Sequence, residues 1–127
     1  MKVIVLGAGL VGAPMALDLA KGSEFKVTVA DISRKNLDKF KNDNIATVEM
    51  DLDNEAALIE VLKNHDLVLN AVPGFMGYRT TERILRAGKN VVDISFFPED
   101  ALELDNLAKE NGVTAIVDCG VAPGMSN

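Results

Sequence analysis

The sequence predicts an α/β fold in which a doubly wound parallel sheet of about six strands carries helices on both faces. Short apolar runs alternate with helical patterns along the 127 residues. The runs are continuously apolar, which is typical of parallel strands buried on both faces. A glycine-rich turn, Gly-Ala-Gly-Leu-Val-Gly at residues 7–12, joins the first apolar run to the first helical pattern. These three observations together favour a doubly wound sheet over a sandwich or a bundle.

The predicted elements follow one another with short connections. Strands are predicted at residues 2–6, 26–30, 45–49, 66–72, 90–94 and 114–117. Helices are predicted at residues 10–21, 33–41, 54–63, 76–87 and 98–111. Ser33 is the expected N-cap of the second helix, and Gly88 and Gly112 are expected to end the last two. Right-handed crossovers then give the strand order 3-2-1-4-5-6, which is the Rossmann arrangement.

Composition excludes several classes of protein. The chain is 48% hydrophobic and 25% charged, which suits one globular domain with a normal core. A net charge of −6 without a basic stripe argues against nucleic acid as a partner. The apolar runs fall far short of the ~20 residues of a membrane-spanning helix. The single cysteine excludes an internal disulfide, and no signal peptide fits before the first strand, so the cytoplasm is expected.

The glycine-rich turn predicts a phosphate-binding site for a dinucleotide. Gly7 permits the tight turn, Gly9 lets a pyrophosphate approach the backbone, and Gly12 lets the helix pack closely on the strand. The start of the helix then offers N–H groups and a partial positive charge to the phosphates. A glycine turn without a ligand is the alternative. The residues expected to contact the cofactor are Gly7, Ala8, Gly9, Leu10, Val11 and Gly12.

The acid that ends the second strand predicts which dinucleotide binds. Asp31 follows Gly12 by 19 residues, close to the ~20 residues typical of this motif. Its carboxylate can accept hydrogen bonds from the adenosine ribose hydroxyls and would repel a 2′-phosphate, so NAD is favoured and NADP is disfavoured. Arg34 and Lys35 keep NADP open, because a guanidinium can hold that phosphate. Ile32 and Arg34 complete this part of the predicted site.

Ligands of this fold bind at the carboxyl ends of the strands, so the residues there complete the predicted site. Asp51 and Leu52 follow the third strand, where adenine often lies, although Asp51 fits a turn acid or a helix N-cap equally well. Cys119 follows the sixth strand in a turn rich in glycine and proline. The fourth strand ends in small residues and a proline, which are Asn70, Ala71, Val72 and Pro73. These residues would let the backbone pass close to the ribose and nicotinamide of a cofactor. The alternative is a plain turn.

No catalytic residue is assigned from the sequence, and no cluster with metal-ligand spacing is present. Cys119 is more typical of a packed side chain than of a nucleophile, since no histidine is predicted near it. His65 is the only histidine and is expected at the amino end of the fourth strand, on the opposite edge of the sheet. Ser95, Phe96 and Phe97 follow the fifth strand, where the two aromatic rings fit either a nicotinamide pocket or the core.

Three blocks of the chain resemble saccharopine dehydrogenase-like proteins, most closely the L-lysine 6-dehydrogenase-like branch. The blocks are GAGLVGAPMALDLA, LNAVPGFMGY and VVDISFFPEDALELDNLAKENGVTAIVDCGVAPGMSN, and the resemblance covers essentially all of the chain. Saccharopine reductases usually have an acid at the position of Ala122 and a hydroxyl-bearing aromatic at that of Phe96. These two departures favour the lysine-dehydrogenase-like interpretation.

The resemblance implies the NAD(P)-binding domain of an oxidoreductase that transfers hydride between an amine carbon of an amino acid and nicotinamide. We therefore expect residues 1–127 to be the dinucleotide-binding domain, with the C-terminal substrate and dimerisation domain absent from this chain. The isolated domain is expected to be inactive, and the full-length protein to be a homodimer. The alternative is an NAD-sensing module of the potassium-transport regulator type. Such a module has a similar N-terminal sequence but would not explain the second half of the chain.

Overall fold

The computed structural model describes residues 1–9, 11–22, 24–40, 44–95 and 102–117. Within this part of the chain, six parallel strands form one sheet in the order β3-β2-β1-β4-β5-β6. The predicted fold class and strand order are confirmed. None of the helices described has both the length and the apolar character required to cross a bilayer.

The strands and helices alternate along the chain as predicted. The strands are β1 (Lys2–Leu6), β2 (Lys26–Asp31), β3 (Ile45–Glu49), β4 (Leu67–Asn70), β5 (Asn90–Asp93) and β6 (Ala115–Val117). The helices are α1 (Gly12–Ala20), α2 (Arg34–Leu37), α3 (Glu55–Leu62), α4 (Gly74–Arg86) and α5 (Leu102–Glu110). A short 3₁₀ helix, Asp38–Phe40, follows α2 directly.

The apolar core lies on both faces of the sheet, and the side chains of β1 contribute to both sides. Val3 and Val5 pack on one face with residues of α1 and α2, whereas Ile4 and Leu6 pack on the other with residues of α3, α4 and α5. All four of these side chains are fully buried. Alternate residues of a strand point to opposite faces, so a strand covered on both sides must be apolar throughout.

The register brings the carboxyl ends of four strands into one row. Leu6 of β1 pairs with Ala30 of β2 and with Asn70 of β4, and Asn70 pairs in turn with Asp93 of β5. Neighbouring strands lie about 4.8 Å apart, so the row spans roughly 14 Å. Residues that follow these four positions therefore lie along one edge of the sheet.

The predicted caps are observed. The Ser33 hydroxyl accepts a hydrogen bond from the Asn36 N–H at 3.3 Å, as expected of an N-cap. Gly88 and Gly112 end α4 and α5 with φ values of +75° and +66°. These are left-handed conformations that favour glycine, and they let the chain turn back toward the sheet.

Two boundaries around the fourth strand differ from the prediction. β4 ends at Asn70 rather than at residue 72, and α4 begins at Gly74 rather than at residue 76. Pro73 explains the second shift, because it stands as the N-cap of α4, where a missing N–H costs little. The predicted helix starts at residues 10 and 98 and the predicted helix end at residue 41 lie outside the described residues.

Candidate functional site

A cleft of about 600 Å³ opens at the carboxyl edge of the sheet. This volume falls within the ~300–1,000 Å³ typical of ligand sites. The cleft runs from the ends of β2 and β3, past the start of α1, to the ends of β4 and β5. Its described lining residues are Gly7, Gly9, Val11, Asp31, Ile32, Asn36, Asp51, Leu52, Ala71, Val72, Pro73, Gly74, Phe75, Met76, Ile94 and Ser95.

The turn between β1 and α1 has the geometry predicted for its glycines. Gly7 has a φ of +99°, and a Cβ there would lie 2.7 Å from the Ala71 carbonyl oxygen. A Cβ on Gly12 would overlap the carbonyl oxygen of Gly7. At Gly9, by contrast, none of the described atoms beyond its chain neighbours lies within 4 Å of a Cβ position. Gly7 and Gly12 are therefore required by the fold, whereas the space beside Gly9 is open to a ligand.

The start of α1 faces the cleft, and no N-cap side chain accepts a hydrogen bond from its first N–H groups. The N-cap residue is Val11, which cannot cap the helix, and the first turn contains no acid. The first N–H groups of a helix need an acceptor and carry a partial positive charge. In α1 the Ala13 N–H already donates to the Gly9 carbonyl oxygen at 3.1 Å and Pro14 has no N–H, so within the described residues the N–H groups of Val11 and Gly12 remain for a ligand. A phosphate of a dinucleotide would accept hydrogen bonds from them, so the helix start and the open space at Gly9 fit such a ligand.

Asp31 supports the turn in addition to lining the cleft. Its Oδ2 accepts a hydrogen bond from the Ala8 N–H at 2.7 Å, and its Oδ1 accepts one from the Ser33 N–H at 2.8 Å. The residue is 9% exposed. Each carboxylate oxygen has a second lone pair, so Asp31 can still accept hydrogen bonds from ribose hydroxyls. The Ala8 N–H is already used by Asp31, so Ala8 shapes the turn instead of donating to a ligand.

Arg34, predicted as a cofactor contact, is paired with an acid of the neighbouring strand. Its Nε donates a hydrogen bond to Oε1 of Glu49 at 3.0 Å, and it does not line the cleft. Ile32 lines the cleft and is 65% exposed.

The end of β3 supplies two of the predicted contacts. Asp51 and Leu52 both line the cleft. Oδ1 of Asp51 accepts a hydrogen bond from the Asp53 N–H at 2.9 Å, so Asp51 also acts as the turn acid that the sequence allowed. The N-cap of α3 is Asn54 rather than Asp51, since its side chain accepts from the Ala57 N–H at 3.2 Å.

Ala71, Val72 and Pro73 line the cleft as predicted, but Asn70 does not. Asn70 is fully buried, and its Nδ2 donates to the Thr81 hydroxyl at 3.0 Å and to the Gly77 carbonyl at 3.3 Å. Within the described structure Asn70 contacts α4 instead of lining the cleft, and its contact with a cofactor stays a prediction.

Leu10 and Cys119 lie outside the described residues, as do Phe96, Phe97 and the turn at 118–124. His65 is placed as predicted at the opposite edge of the sheet, where its Nδ1 lies 2.9 Å from the Val61 carbonyl oxygen.

Six lining residues were absent from the predicted site: Asn36, Gly74, Phe75, Met76, Ile94 and Ser95. Three of them belong to the first turn of α4, which starts two residues earlier than predicted. The proline at position 73 was the available signal, because proline is common at helix starts. Phe75 is 74% exposed at the rim, so the cleft presents an apolar wall on the β4 side.

A charged cluster beside the cleft holds the turn after β3 against α4. Arg79 Nε donates to Oδ1 of Asp53 at 2.8 Å, and Arg83 Nη1 donates to the same oxygen at 3.0 Å. The hydrogen bond from Arg79, aided by the charges of both arginines, holds the pKa of the Asp53 carboxyl below its usual value. The cluster thus fixes the turn that follows Leu52.

Comparisons with known proteins agree with this geometry. Residues 3–116 match the family described as "Saccharopine dehydrogenase NADP binding domain". The glutamate-forming saccharopine dehydrogenase [NADP(+)] of Pyricularia oryzae is 31% identical over 99% of this chain. The chain spans 28% of the length of that relative.

Solved structures similar to the chain include the following two. The apo saccharopine dehydrogenase (L-Glu forming) of Saccharomyces cerevisiae has a TM-score of 0.82 and 26% identity, covering 98% of this chain and 28% of its own. The biliverdin reductase of Synechocystis, solved with biliverdin and NADP+, has a TM-score of 0.73 and 24% identity, covering 92% of this chain and 37% of its own; it supports the fold alone. From the family match over residues 3–116, the chain belongs to the saccharopine dehydrogenase NADP-binding domain family.

Proposed function

We propose that this chain is the nicotinamide-dinucleotide-binding domain of an amino-acid oxidoreductase. The observation that carries the proposal is the open space at Gly9 beside an α1 start with no capping side chain. A pyrophosphate in that space would receive N–H groups from the turn and the helix. Family membership favours the oxidoreductase over a regulatory NAD-sensing module.

We further propose that the site prefers NAD(H) to NADP(H), although the family description and two of the proteins compared name NADP. The described lining of the cleft contains the carboxylates of Asp31 and Asp51 and no lysine or arginine. A 2′-phosphate beside Asp31 would meet repulsion without a compensating cation in the lining. Of the two basic residues that the sequence offers for this phosphate, Arg34 is paired with Glu49, and neither Arg34 nor Lys35 lines the cleft.

The pairing of Arg34 suggests a direct test. Wild-type protein should bind NADH at least about tenfold more tightly than NADPH by calorimetry, a difference of about 1.4 kcal/mol. Glu49→Gln leaves Arg34 without its ionic partner, so NADPH affinity should rise and the difference should narrow. Glu60→Gln is the matched control, since it removes an exposed acid of α3 that pairs with Lys63. Equal affinities for the two nucleotides in wild type, or no effect of Glu49→Gln, would contradict the preference.

We propose that a second domain supplies the substrate site and the homodimer contacts of the active protein. Its support is the length of the relatives, of which this chain spans 28%. Amino-acid substrates, the L-lysine 6-dehydrogenase-like branch and a cytoplasmic location remain proposals from the sequence. In such a protein the bound nicotinamide supplies the hydride acceptor, while this domain binds and orients it.

The division of labour predicts that the 127-residue chain alone does not reduce NAD with lysine. Hydride transfer depends on holding two reactants in register, and one wall of a pocket does not achieve that. The check is an absorbance assay at high protein concentration with lysine and related amino acids. Steady turnover by this chain would show that the second domain is not needed.

A further inference from the structure

We propose that Ser95 is a specificity-determining residue that accepts a hydrogen bond from the carboxamide N–H₂ of the nicotinamide, and that Asp93 positions it. This inference rests on the proposed dinucleotide site. It arises from a buried polar network at the ends of β4 and β5. The network consists of Asn70, Thr81, Asp93 and Ser95.

The direction of each hydrogen bond in the network follows from its donors. Asn70 Nδ2 donates to Thr81 Oγ1 at 3.0 Å. Thr81 therefore uses its own hydroxyl hydrogen toward Oδ2 of Asp93, at 2.7 Å. Asn70, Thr81 and Asp93 are all fully buried. Asp93 is thus held in place from the α4 side, and its other oxygen, Oδ1, faces Ser95.

Both hydrogen-bond donors of Ser95 bind Asp93. Its backbone N–H and its hydroxyl each donate to Oδ1 of Asp93 at 2.6 Å. A serine hydroxyl has one hydrogen and two lone pairs, so what remains of this group is an acceptor. Ser95 lines the cleft and is 8% exposed. Ser95 is therefore the member of the network that lines the cleft, and we assign its remaining acceptor to a ligand donor.

The position of Ser95 in the row of strand ends selects the donor. A pyrophosphate at Gly9 lies at the end of β1, and the adenosine ribose lies toward Asp31 on β2. The other half of the dinucleotide then crosses β4 and reaches β5, in line with the two-sided arrangement of this fold. Ala71 lies beside Gly7, so the nicotinamide ribose would pass Ala71. The nicotinamide ring, one strand further on, would then reach Ser95, where its carboxamide would offer two N–H donors.

Analogues of the cofactor test this assignment by binding alone. Reduced 3-acetylpyridine adenine dinucleotide keeps both riboses but replaces the carboxamide N–H₂ by a methyl group. Wild-type protein should bind NADH about tenfold more tightly than this analogue, the effect of one hydrogen bond of ordinary strength. Ser95→Ala should reduce that ratio to about one. Ser95→Thr, which keeps the hydroxyl, should restore the discrimination.

ADP-ribose separates this inference from the proposed function, because it lacks the nicotinamide altogether. Its affinity should be the same for wild type and for Ser95→Ala, which also shows that the variant is folded. If ADP-ribose binds but Ser95→Ala still discriminates NADH from the analogue, the role of Ser95 is wrong. If discrimination is lost for a ribose-modified analogue instead, Ser95 contacts the ribose and the carboxamide assignment is overturned. If wild type does not bind ADP-ribose, the proposed function fails together with the inference that rests on it.

Discussion

Replacing Gly9 by valine separates the binding of a dinucleotide from the stability of the fold. The backbone at Gly9 does not have the positive φ found at Gly7, and no described atom beyond its chain neighbours lies within 4 Å of the new Cβ. A Cβ at this position therefore meets no steric obstacle among those atoms, and we expect the valine variant to fold. Removing glycine from such a position limits the unfolded chain, which stabilises the fold by about 0.4–1 kcal/mol.

Gly9→Val is expected to weaken the binding of NADH. The valine side chain would occupy the space assigned to the pyrophosphate and separate it from the N–H groups at the start of α1. A hydrogen bond to a charged group contributes about 1.5–3 kcal/mol, so losing two of them weakens NADH binding by roughly 10²–10⁴-fold. The expected variant is folded, as stable as wild type or slightly more so, and unable to bind.

Calorimetric titration with NADH and thermal unfolding measure the two effects, with Gly12→Ala as the matched control. The Cβ of that control would overlap the carbonyl oxygen of Gly7, so it should lower the melting temperature sharply. Gly9→Val should stay within about 4 °C of wild type. Native NADH affinity in Gly9→Val would refute the assignment of the phosphates to this turn, and a collapse of its stability would refute the reading of the open space.

Two further predictions concern stability. Thr80 Oγ1 is buried without a hydrogen-bond partner among the described residues, so Thr80→Val should be neutral or stabilising, whereas Thr81→Val should cost about 1–3 kcal/mol because it removes a donor to Asp93; denaturant unfolding checks the pair, and the reverse order would contradict it. The folded pKa of Asp53 is depressed, so its contribution is present above the unfolded pKa of about 3.9 and is lost as pH falls through the folded value. Asp53→Asn should therefore lower the melting temperature at pH 7 and have a shrinking effect below about pH 4; a difference that does not depend on pH would argue against the ionic origin.

The local chemistry of the first turn was predictable from the sequence. Gly7 and Gly12 occupy fixed positions in a motif, and each answers a steric demand that arises within one strand–turn–helix unit. Asp31 was also predictable, because it ends the next strand at the spacing from Gly12 that is typical of the motif. Its second task, accepting the Ala8 and Ser33 N–H groups, is a property of the folded turn.

The parts of the site that were missed depend on contacts between distant segments. Asn70 is drawn away from the cleft by Thr81 on α4, and Arg34 is drawn to Glu49 by the register of β2 and β3. Neither partner is identifiable from local spacing. Ser95 reads as an ordinary strand-end serine until Asp93 is seen to hold both of its donors.

A titration of the ¹⁵N-labelled domain with NADH, followed by amide chemical shifts, tests the central claim most directly. The account predicts saturable shifts along the carboxyl edge of the sheet, strongest at Gly9 and Val11 and extending to Asp31 on one side and Ser95 on the other. Amides at the opposite edge, such as those of Lys26 and His65, should not move. Absence of saturable shifts, or shifts centred on that opposite edge, would contradict the claim that this cleft is a dinucleotide site.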